Sequence, residues 1–211
     1  MKSLDALNIL NDLSASQQGV FTSAQARSLG IERLVLSRLE THGQIERIAH
    51  GVYRSCAAPS FREGDVWAAW LSLYPRAPAW ERRRDGSQGA ASHGTAAWLL
   101  QLGELNPAPM TFILPIRKQT RRDSVRLVKA PLHPKEVTTI KGIPTTIPTR
   151  TILDLLRDGE DLSIIANVLN DARKTYREVE ERAFADKVDE LGGRYGLEKG
   201  RSLYERLGGS R

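Results

Sequence analysis

The N-terminal part of the chain alternates apolar and polar residues in a way that predicts three short helices and a hairpin. Leucines recur at helical spacing through residues 4–13, and similar amphipathic patterns follow at residues 23–29 and 31–41. Two short β-type runs come next, at residues 44–48 and 51–54, separated by a tight turn that contains glycine. This order of elements is typical of a helix-turn-helix followed by a wing.

Capping signals support the limits of the second helix. Thr22 is a natural N-cap, and Gln25 lies three residues later, which is the spacing of a capping box. Gly30 suits the left-handed position just after a helix. We therefore expect the second helix to end there and the third to follow after a turn of the helix-turn-helix length.

The third helix separates its side chains into two faces at 100° per residue. One face is apolar and suits packing on the first two helices. The other carries polar and basic side chains with one leucine: Arg33, Leu34, Ser37, Arg38 and Thr41. A recognition helix needs this division, because its outer face enters the major groove, where Arg33 can bind guanine. The alternative is a three-helix scaffold whose charged face is only solvated.

After a short linker near Pro59, the pattern predicts helices at residues 62–74 and 88–102, four strands, a helix capped by Thr149, and a helical tail. The strands are expected at residues 110–114, 125–129, 136–140 and 143–146, and the tail helices at 162–173, 177–191 and 197–207. The predicted fold class is α+β. It has a winged helix-turn-helix DNA-binding domain at residues 1–58. A mixed α/β domain with a small antiparallel sheet and helical C-terminal tail follows at residues 59–211.

Composition indicates a folded globular chain, because 40% of its 211 residues are hydrophobic and 27% are charged. Nothing approaches the ~18 consecutive apolar residues of a membrane span. Asp5 and Asp12 interrupt the segment in which a signal peptide needs an apolar run. The single cysteine, Cys56, excludes an internal disulfide framework and a cysteine-rich zinc site. We expect a cytoplasmic protein with no membrane partner.

The net charge of +6 is concentrated in the middle of the chain. Residues 1–60 hold six basic and five acidic groups, whereas residues 61–155 hold fourteen and eight. Several of these basic side chains form a candidate second basic surface: Arg82, Arg83, Arg84, Arg117, Lys118, Arg121 and Arg122. Such clusters are either solvated loops or contact surfaces for a polyanion or an acidic partner.

The sequence contains none of the common catalytic or metal-binding motifs. Its four histidines form no HExxH pair, and no phosphate-binding glycine loop or GxSxG elbow occurs. Ser92 and His93 have the residue types of a nucleophile and a base, but neighbours on the expected helix point about 100° apart and would not meet. We therefore expect no catalytic residues, no metal and no cofactor, in a protein that is not an enzyme.

Four segments together resemble the AbiEi-like antitoxin family of bacterial toxin–antitoxin systems. They are GVFTSAQARSLGIERLVLSRLETHGQIERIAHGVYR (19–54), ASHGTAAWLLQLG (91–103), TFILP (111–115) and GIPTTIPTRTILDLLRDGEDL (142–162). The resemblance implies an N-terminal winged helix-turn-helix that represses its own operon. It also implies a larger second domain that counters a nucleotidyltransferase-like toxin.

Carried over to this sequence, the resemblance implies DNA contacts from the second helix, the third helix and the wing. The residues are Ser23, Gln25, Arg33, Ser37, Arg38, Arg47, His50 and Arg54, and Arg27 is a further candidate. The expected partners are double-stranded DNA, as inverted repeats in the protein's own promoter, and the toxin, opposed directly or indirectly. A second hypothesis is a plain winged-helix transcriptional regulator whose second domain senses a ligand or mediates dimerisation.

Overall fold

The computed structural model describes residues 3–209 of the chain. Its internal contacts divide the chain into an N-terminal unit, Met1–Arg83, and a C-terminal unit, Arg84–Arg211. Each unit combines helices with a β-sheet, so the α+β class is confirmed. None of the described helices is long and apolar enough to cross a membrane.

The N-terminal unit has the element order of a winged helix-turn-helix. Its helices are α1 (Ser3–Ala15), α2 (Ser23–Ser28), α3 (Arg33–Thr41) and α4 (Gly64–Leu73). Its strands are β1 (Val20–Thr22), β2 (Ile45–Ala49) and β3 (Val52–Ser55), which form an antiparallel sheet in the order β1–β3–β2. Strand β1 was not expected, because three residues are too few to show an alternating pattern.

The core of the winged helix is built from the apolar faces that the helical spacing predicts. Leu36 and Leu39 of α3 are 1% exposed and pack with Leu10 of α1. Phe21 of β1 and Tyr53 of β3 stack with their ring centroids 5.8 Å apart. Burying one such side chain contributes roughly 1.5–3 kcal/mol relative to leaving it in water. This core fixes α3 with its polar face outward.

The expected capping box of α2 is present. The backbone N–H of Gln25 donates to Thr22 Oγ1 at 3.1 Å, and the backbone N–H of Thr22 donates to Gln25 Oε1 at 2.9 Å. Gly30 follows the helix with a φ of +77°, a left-handed conformation that favours glycine. The turn between α2 and α3 is therefore fixed by local sequence.

Helix α4 and the segment after it belong to the N-terminal unit. Trp67 Nε1 donates to the carbonyl oxygen of Gln17 at 2.9 Å. The amides of Gln17 and Gln25 bond to each other, and Gln25 Nε2 also donates to the carbonyl oxygen of Ala77 at 3.0 Å. The backbone N–H of Ala79 donates to Gln17 Oε1 at 2.8 Å. These contacts extend the compact unit to Arg83, although the sequence places a domain boundary after residue 58.

The C-terminal unit contains a five-stranded sheet in the order β6–β5–β4–β8–β7. The strands are β4 (Ala90–Ala91), β5 (Met110–Leu114), β6 (Val125–Lys129), β7 (Val137–Ile140) and β8 (Ile143–Thr146). Strands β5 and β6 are parallel, as are β4 and β8, whereas the other two neighbouring pairs are antiparallel. The sheet is thus mixed rather than antiparallel as expected, because β6 runs parallel to β5 and the unforeseen strand β4, between β5 and β8, runs parallel to β8.

The described part of the C-terminal unit also contains five α-helices: α5 (His93–Leu100), α6 (Pro148–Asp158), α7 (Leu162–Thr175), α8 (Arg182–Asp189) and α9 (Leu203–Arg206). Helix α6 begins at Pro148 with Ile147 as its N-cap, so Thr149 is not the cap that the sequence suggested. The helices share one apolar core, in which Ile152, Val168 and Tyr204 are fully buried. The helical tail is confirmed, although its last two helices are shorter than expected.

The segment 88–102 is not one helix. Ala90 and Ala91 pair with Ile113 and Phe112 of β5, and the helix begins only at His93. Ser92 is its N-cap and His93 has a φ of +52°. Ser92 Oγ therefore lies 2.9 Å from His93 Nδ1, so the expectation that the two side chains do not meet is wrong. An alanine-rich segment favours a helix locally, but pairing in the sheet overrides that preference here.

The His93 side chain should make stability depend on pH. Burial lowers the pKa of His93, although the nearby charges of Asp154 and Asp158 act in the opposite direction. As the pH falls below the ordinary histidine value of about 6.5, the unfolded chain binds a proton that the folded chain does not, so the free energy of unfolding decreases. We expect urea titrations to show that the free energy of unfolding decreases more steeply from pH 7 to pH 5 in the native protein than in His93→Asn. Parallel curves for the two proteins would contradict this role.

Candidate nucleic-acid interface

The outward face of α3 lies open to solvent. Arg33, Ser37 and Arg38 are exposed along it, and Leu34 is 60% exposed, a high fraction for a leucine. The same face contains the side chains that the helical spacing singled out. A helix with this arrangement can present arginine donors and one apolar group to base edges in a major groove.

Basic side chains from α2, α3 and the wing converge beside this helix. They surround a small concavity of about 140 Å³ that is lined by Ser23, Arg27, Ile31, Arg33, Leu36, Arg47, His50, Gly51 and Tyr53. Three of these residues are arginines and none is acidic. The structure thus brings together four of the expected DNA-binding residues with Arg27, the further candidate. We call this group the basic pocket.

The tip of the wing is bonded to the start of α2. The backbone N–H of Ser23 donates to the carbonyl oxygen of Gly51 at 2.9 Å. Gly51 has a φ of +70°, and a Cβ at this position would lie 3.2 Å from Ser23 Oγ, so glycine suits both the turn and the close approach. This contact holds the wing residues of the basic pocket, Arg47 and His50, next to helix α2.

Within the wing, Arg47 Nη2 lies 3.0 Å from His50 Nδ1. A guanidinium can only donate, so Nδ1 is the acceptor of this hydrogen bond. The pair leaves other donors of Arg47 and the Nε2 side of the His50 ring for a ligand. Both side chains are exposed, as a phosphate contact requires.

Two of the expected DNA-binding residues have other roles in the structure. Gln25 is 3% exposed, and its amide bonds to Thr22, Gln17 and Ala77. It therefore positions α2 and is not available to DNA, which corrects the expectation. Arg54 Nη2 donates to Glu46 Oε2 at 2.6 Å across neighbouring strands, so its charge is largely balanced within the wing.

The candidate second basic surface is not one continuous feature. Arg82 is 3% exposed, and its Cζ atom lies over the ring of Trp70, 3.5 Å from the ring centroid. Arg82 Nη1 donates to the carbonyl oxygen of Trp70 at 2.6 Å. Burial lowers the pKa of Arg82 to about 9. Arg82 is thus a buried structural residue, which corrects its assignment to a surface. Arg83 and Arg84 are exposed.

The remaining members of that surface lie in the loop between β5 and β6 of the C-terminal unit. Arg117 and Arg121 are exposed, and Lys118 and Arg122 are half-buried. Lys118 and Arg121 line a shallow cavity of about 490 Å³ with Gln119, Thr120 and Leu127, and none of these is acidic. This loop is electropositive, and its contact with a polyanion stays a prediction.

The described residues also bear on metal chemistry. Between residues 3 and 209, no three histidine, cysteine, aspartate or glutamate side chains are grouped so that they could hold a metal ion.

Residues 8–55 match the model of a protein family that is described as transcriptional regulator, AbiEi antitoxin. The match runs from α1 to the end of β3 and includes the whole basic pocket. It confirms the family resemblance for this segment. Comparison with curated proteins gives no match.

Among solved structures, the fold is similar to that in the crystal structure of the RV2827C protein from Mycobacterium tuberculosis. The TM-score is 0.54 at 15% sequence identity, over 94% of this chain and 73% of that one. At this identity, the likeness extends to the fold alone.

Proposed function

We propose that this chain, whose residues 8–55 match the AbiEi antitoxin transcriptional regulator family, binds double-stranded DNA as the repressor of its own operon. The observation that carries the proposal is the basic pocket, in which Arg27, Arg33 and Arg47 converge beside the exposed face of α3. Phosphate contacts dominate affinity for DNA and need arginine or lysine. The low net charge of the first 60 residues is compatible with this role, because these arginines are concentrated at one place.

In the proposed complex, α3 enters the major groove with Arg33, while Arg27, Arg47 and His50 of the basic pocket lie against the phosphate backbone. Arg33 stands at the first position of α3, and the N-terminal residues of a recognition helix are those that reach base edges. Arg47 and His50 come from the wing, where a phosphate is the expected partner. Inverted repeats in the promoter would bind two copies of the chain.

Arg33→Ala should relax sequence preference, whereas Arg47→Ala should weaken binding to all sequences alike. Loss of a base contact costs about 1–3 kcal/mol on the correct site, while loss of a phosphate contact lowers the slope of log K against log salt by about 0.9. Fluorescence anisotropy with the chain's own promoter and with random duplex, at several salt concentrations, measures both. Arg177→Ala, an exposed site in the C-terminal unit, is the control. If the two variants lost the same affinity on both DNAs and had the same salt dependence, the assignment of a base contact to Arg33 and a phosphate contact to Arg47 would be wrong.

The loop between β5 and β6 is proposed as a second phosphate-contacting surface. Joint replacement of Arg117, Lys118, Arg121 and Arg122 by serine should lower DNA affinity at least tenfold, about 1.4 kcal/mol, without changing sequence preference. The side chains lie in a loop and are not part of the core, so the thermal melt should stay unchanged. Unchanged DNA affinity with lost protection in a toxin growth assay would assign the loop to a protein partner.

The antitoxin role is the second part of the proposal. The family description supports a toxin partner, and the resemblance suggests a nucleotidyltransferase-like toxin that is opposed directly or indirectly. We propose no catalytic role and no cofactor for the chain, and a cytoplasmic site of action. Co-expression with the product of the neighbouring gene should restore growth, and a pull-down of the two proteins separates direct from indirect action. Failure to protect against that product would contradict the antitoxin role.

A plain winged-helix regulator with a ligand-sensing second domain is the other candidate. One observation favours it, namely a large cavity in the C-terminal unit with buried charged side chains in its wall.

A further inference from the structure

A cavity of about 740 Å³ opens within the C-terminal unit, where one face of α6 is opposite strands β5 and β6. Its size lies within the range of small-molecule sites, roughly 300–1,000 Å³. Part of the wall is apolar: Ile113, Val128, Ala130, Pro131 and Leu132. The rest is ionisable: His93, Arg126, His133, Glu136, Arg150, Asp154, Arg157 and Asp158.

The regular spacing of two elements places these side chains together. Arg150, Asp154 and Arg157 follow one another at helical spacing along α6, so they share a face. Arg126 and Val128 are two residues apart in β6 and therefore point to the same side of the sheet. The cavity is thus a product of secondary structure and does not depend on a loop alone.

The charged side chains already form ion pairs. Arg150 Nε donates to both carboxylate oxygens of Asp154, at 2.8 and 3.0 Å, and Arg150 Nη1 donates to Glu136 at 2.9 Å. Both terminal nitrogens of Arg126 donate to Asp158, which lowers the pKa of that carboxyl group. Every carboxylate of the cavity therefore already accepts hydrogen bonds from an arginine.

The hydrogen-bond donors, in contrast, are not all used. Arg157 donates only through Nη1, to Asp154 at 3.2 Å, so its Nε and Nη2 groups have no partner among the described residues. Within the same residues, Arg150 Nη2 also has none. A guanidinium has five donors and no acceptor. The wall thus presents N–H groups that no described residue accepts, and a negatively charged oxygen would form the stronger, charge-assisted hydrogen bonds with them.

The exposure of the two arginines indicates how a ligand would enter. The Arg150 side chain is 8% exposed and stands at the inner end, whereas the Arg157 side chain is 49% exposed and stands at the mouth. His93, which lines the same cavity, has a φ of +52°, a left-handed conformation that costs free energy in a residue other than glycine.

We propose that this cavity binds a small organic anion, whose single carboxylate or phosphate group accepts hydrogen bonds from Arg150 and Arg157 and whose apolar body lies against Ile113, Val128 and Leu132. The DNA backbone is too large to reach the buried Arg150, so the ligand is a small molecule. The inference rests neither on the basic pocket of the N-terminal unit nor on the loop between β5 and β6, because the cavity contains residues of neither. It gives a chemical class to the ligand of the ligand-sensing hypothesis.

Isothermal titration of the full chain with four probes tests the proposal. Phenyl phosphate and benzoate carry both an anionic group and an apolar body, whereas inorganic phosphate and benzyl alcohol carry one each. We expect saturable binding with one site for at least one of the first two, and at least tenfold weaker binding of the last two. The stronger of the first two probes distinguishes a phosphate from a carboxylate ligand.

Arg157→Gln, which removes the charge at the exposed mouth, should weaken binding of the preferred probe at least tenfold. Arg182→Gln, an exposed arginine of α8 outside the cavity, is the matched control and should bind as the native protein does. A thermal melt of each variant verifies that it is folded. The proposal is overturned if neither phenyl phosphate nor benzoate binds, or if Arg157→Gln and Arg182→Gln bind equally well.

Discussion

A fragment of residues 1–83 is expected to fold cooperatively, whereas one that ends at residue 58 is not. The shorter fragment lacks α4, whose Trp67 and Trp70 are 4% and 1% exposed. Each large side chain of this kind contributes roughly 1.5–3 kcal/mol when buried. A domain is stable by only about 5–15 kcal/mol in total, so the loss of α4 removes a large part of that stability. Urea titrations followed by circular dichroism measure the difference.

The polar contacts lead to the same expectation. Without the segment after α4, the amides of Gln17 and Gln25 lose their bonds to Ala77 and Ala79. Each of these hydrogen bonds contributes about 0.5–1.5 kcal/mol net. The control is the 1–83 fragment with Arg76→Ala, an exposed residue in the same segment, which should match the unmodified fragment. Equal urea denaturation midpoints for the fragments 1–58 and 1–83 would show that the N-terminal domain ends near Pro59.

Arg150→Ala should destabilise the protein by about 3–5 kcal/mol. The side chain of Arg150 bonds to Asp154 and Glu136, and the Asp154 side chain is only 4% exposed. Removal of Arg150 leaves the buried Asp154 carboxylate with only its bond to the half-exposed Arg157, and loss of one partner from a buried ion pair has a penalty of this size. Chemical denaturation of the full chain at pH 7 measures the change in the free energy of unfolding.

Arg157→Ala is the matched control for this experiment. Arg157 bonds to the same carboxylate at 3.2 Å but is half exposed, and exposed pairs contribute roughly 0–1 kcal/mol. A double variant, Arg150→Met with Asp154→Leu, should recover part of the loss because both buried charges are then removed. An equal loss in Arg150→Ala and Arg157→Ala would show that burial of the pair is unimportant.

Elements with strong local signals were predictable from the sequence. The two faces of α3 follow from the spacing of its leucines, and the limits of α2 follow from Thr22, Gln25 and Gly30. These features depend on neighbours in the chain. Strand β4 was not predictable, because its two alanines have helix-forming character and become a strand only through pairing with residues far along the chain.

Among the candidate DNA-binding residues, too, some positions follow from the local sequence and others depend on contacts with distant residues. Arg33, Arg47 and His50 are exposed where the helix-turn-helix pattern places them. The sequence predicts both a capping role and a DNA contact for Gln25, and the capping box itself is the signal that its side chain is occupied. Arg82 lies within a run of three arginines, and nothing in that run distinguishes the one that stacks on Trp70 from its neighbours.

Strand β4 has a consequence for the order in which the C-terminal unit assembles. β7 and β8 are consecutive strands of one hairpin, and β5 and β6 are also consecutive in the chain. The two halves of the sheet meet only at Ala90 and Ala91, which pair with β5 on one side and with β8 on the other. Contacts between distant parts of a chain form slowly, because loop closure must precede them. The pairing of β4 with β5 and β8 should therefore form late in folding, after each half of the sheet has nucleated separately.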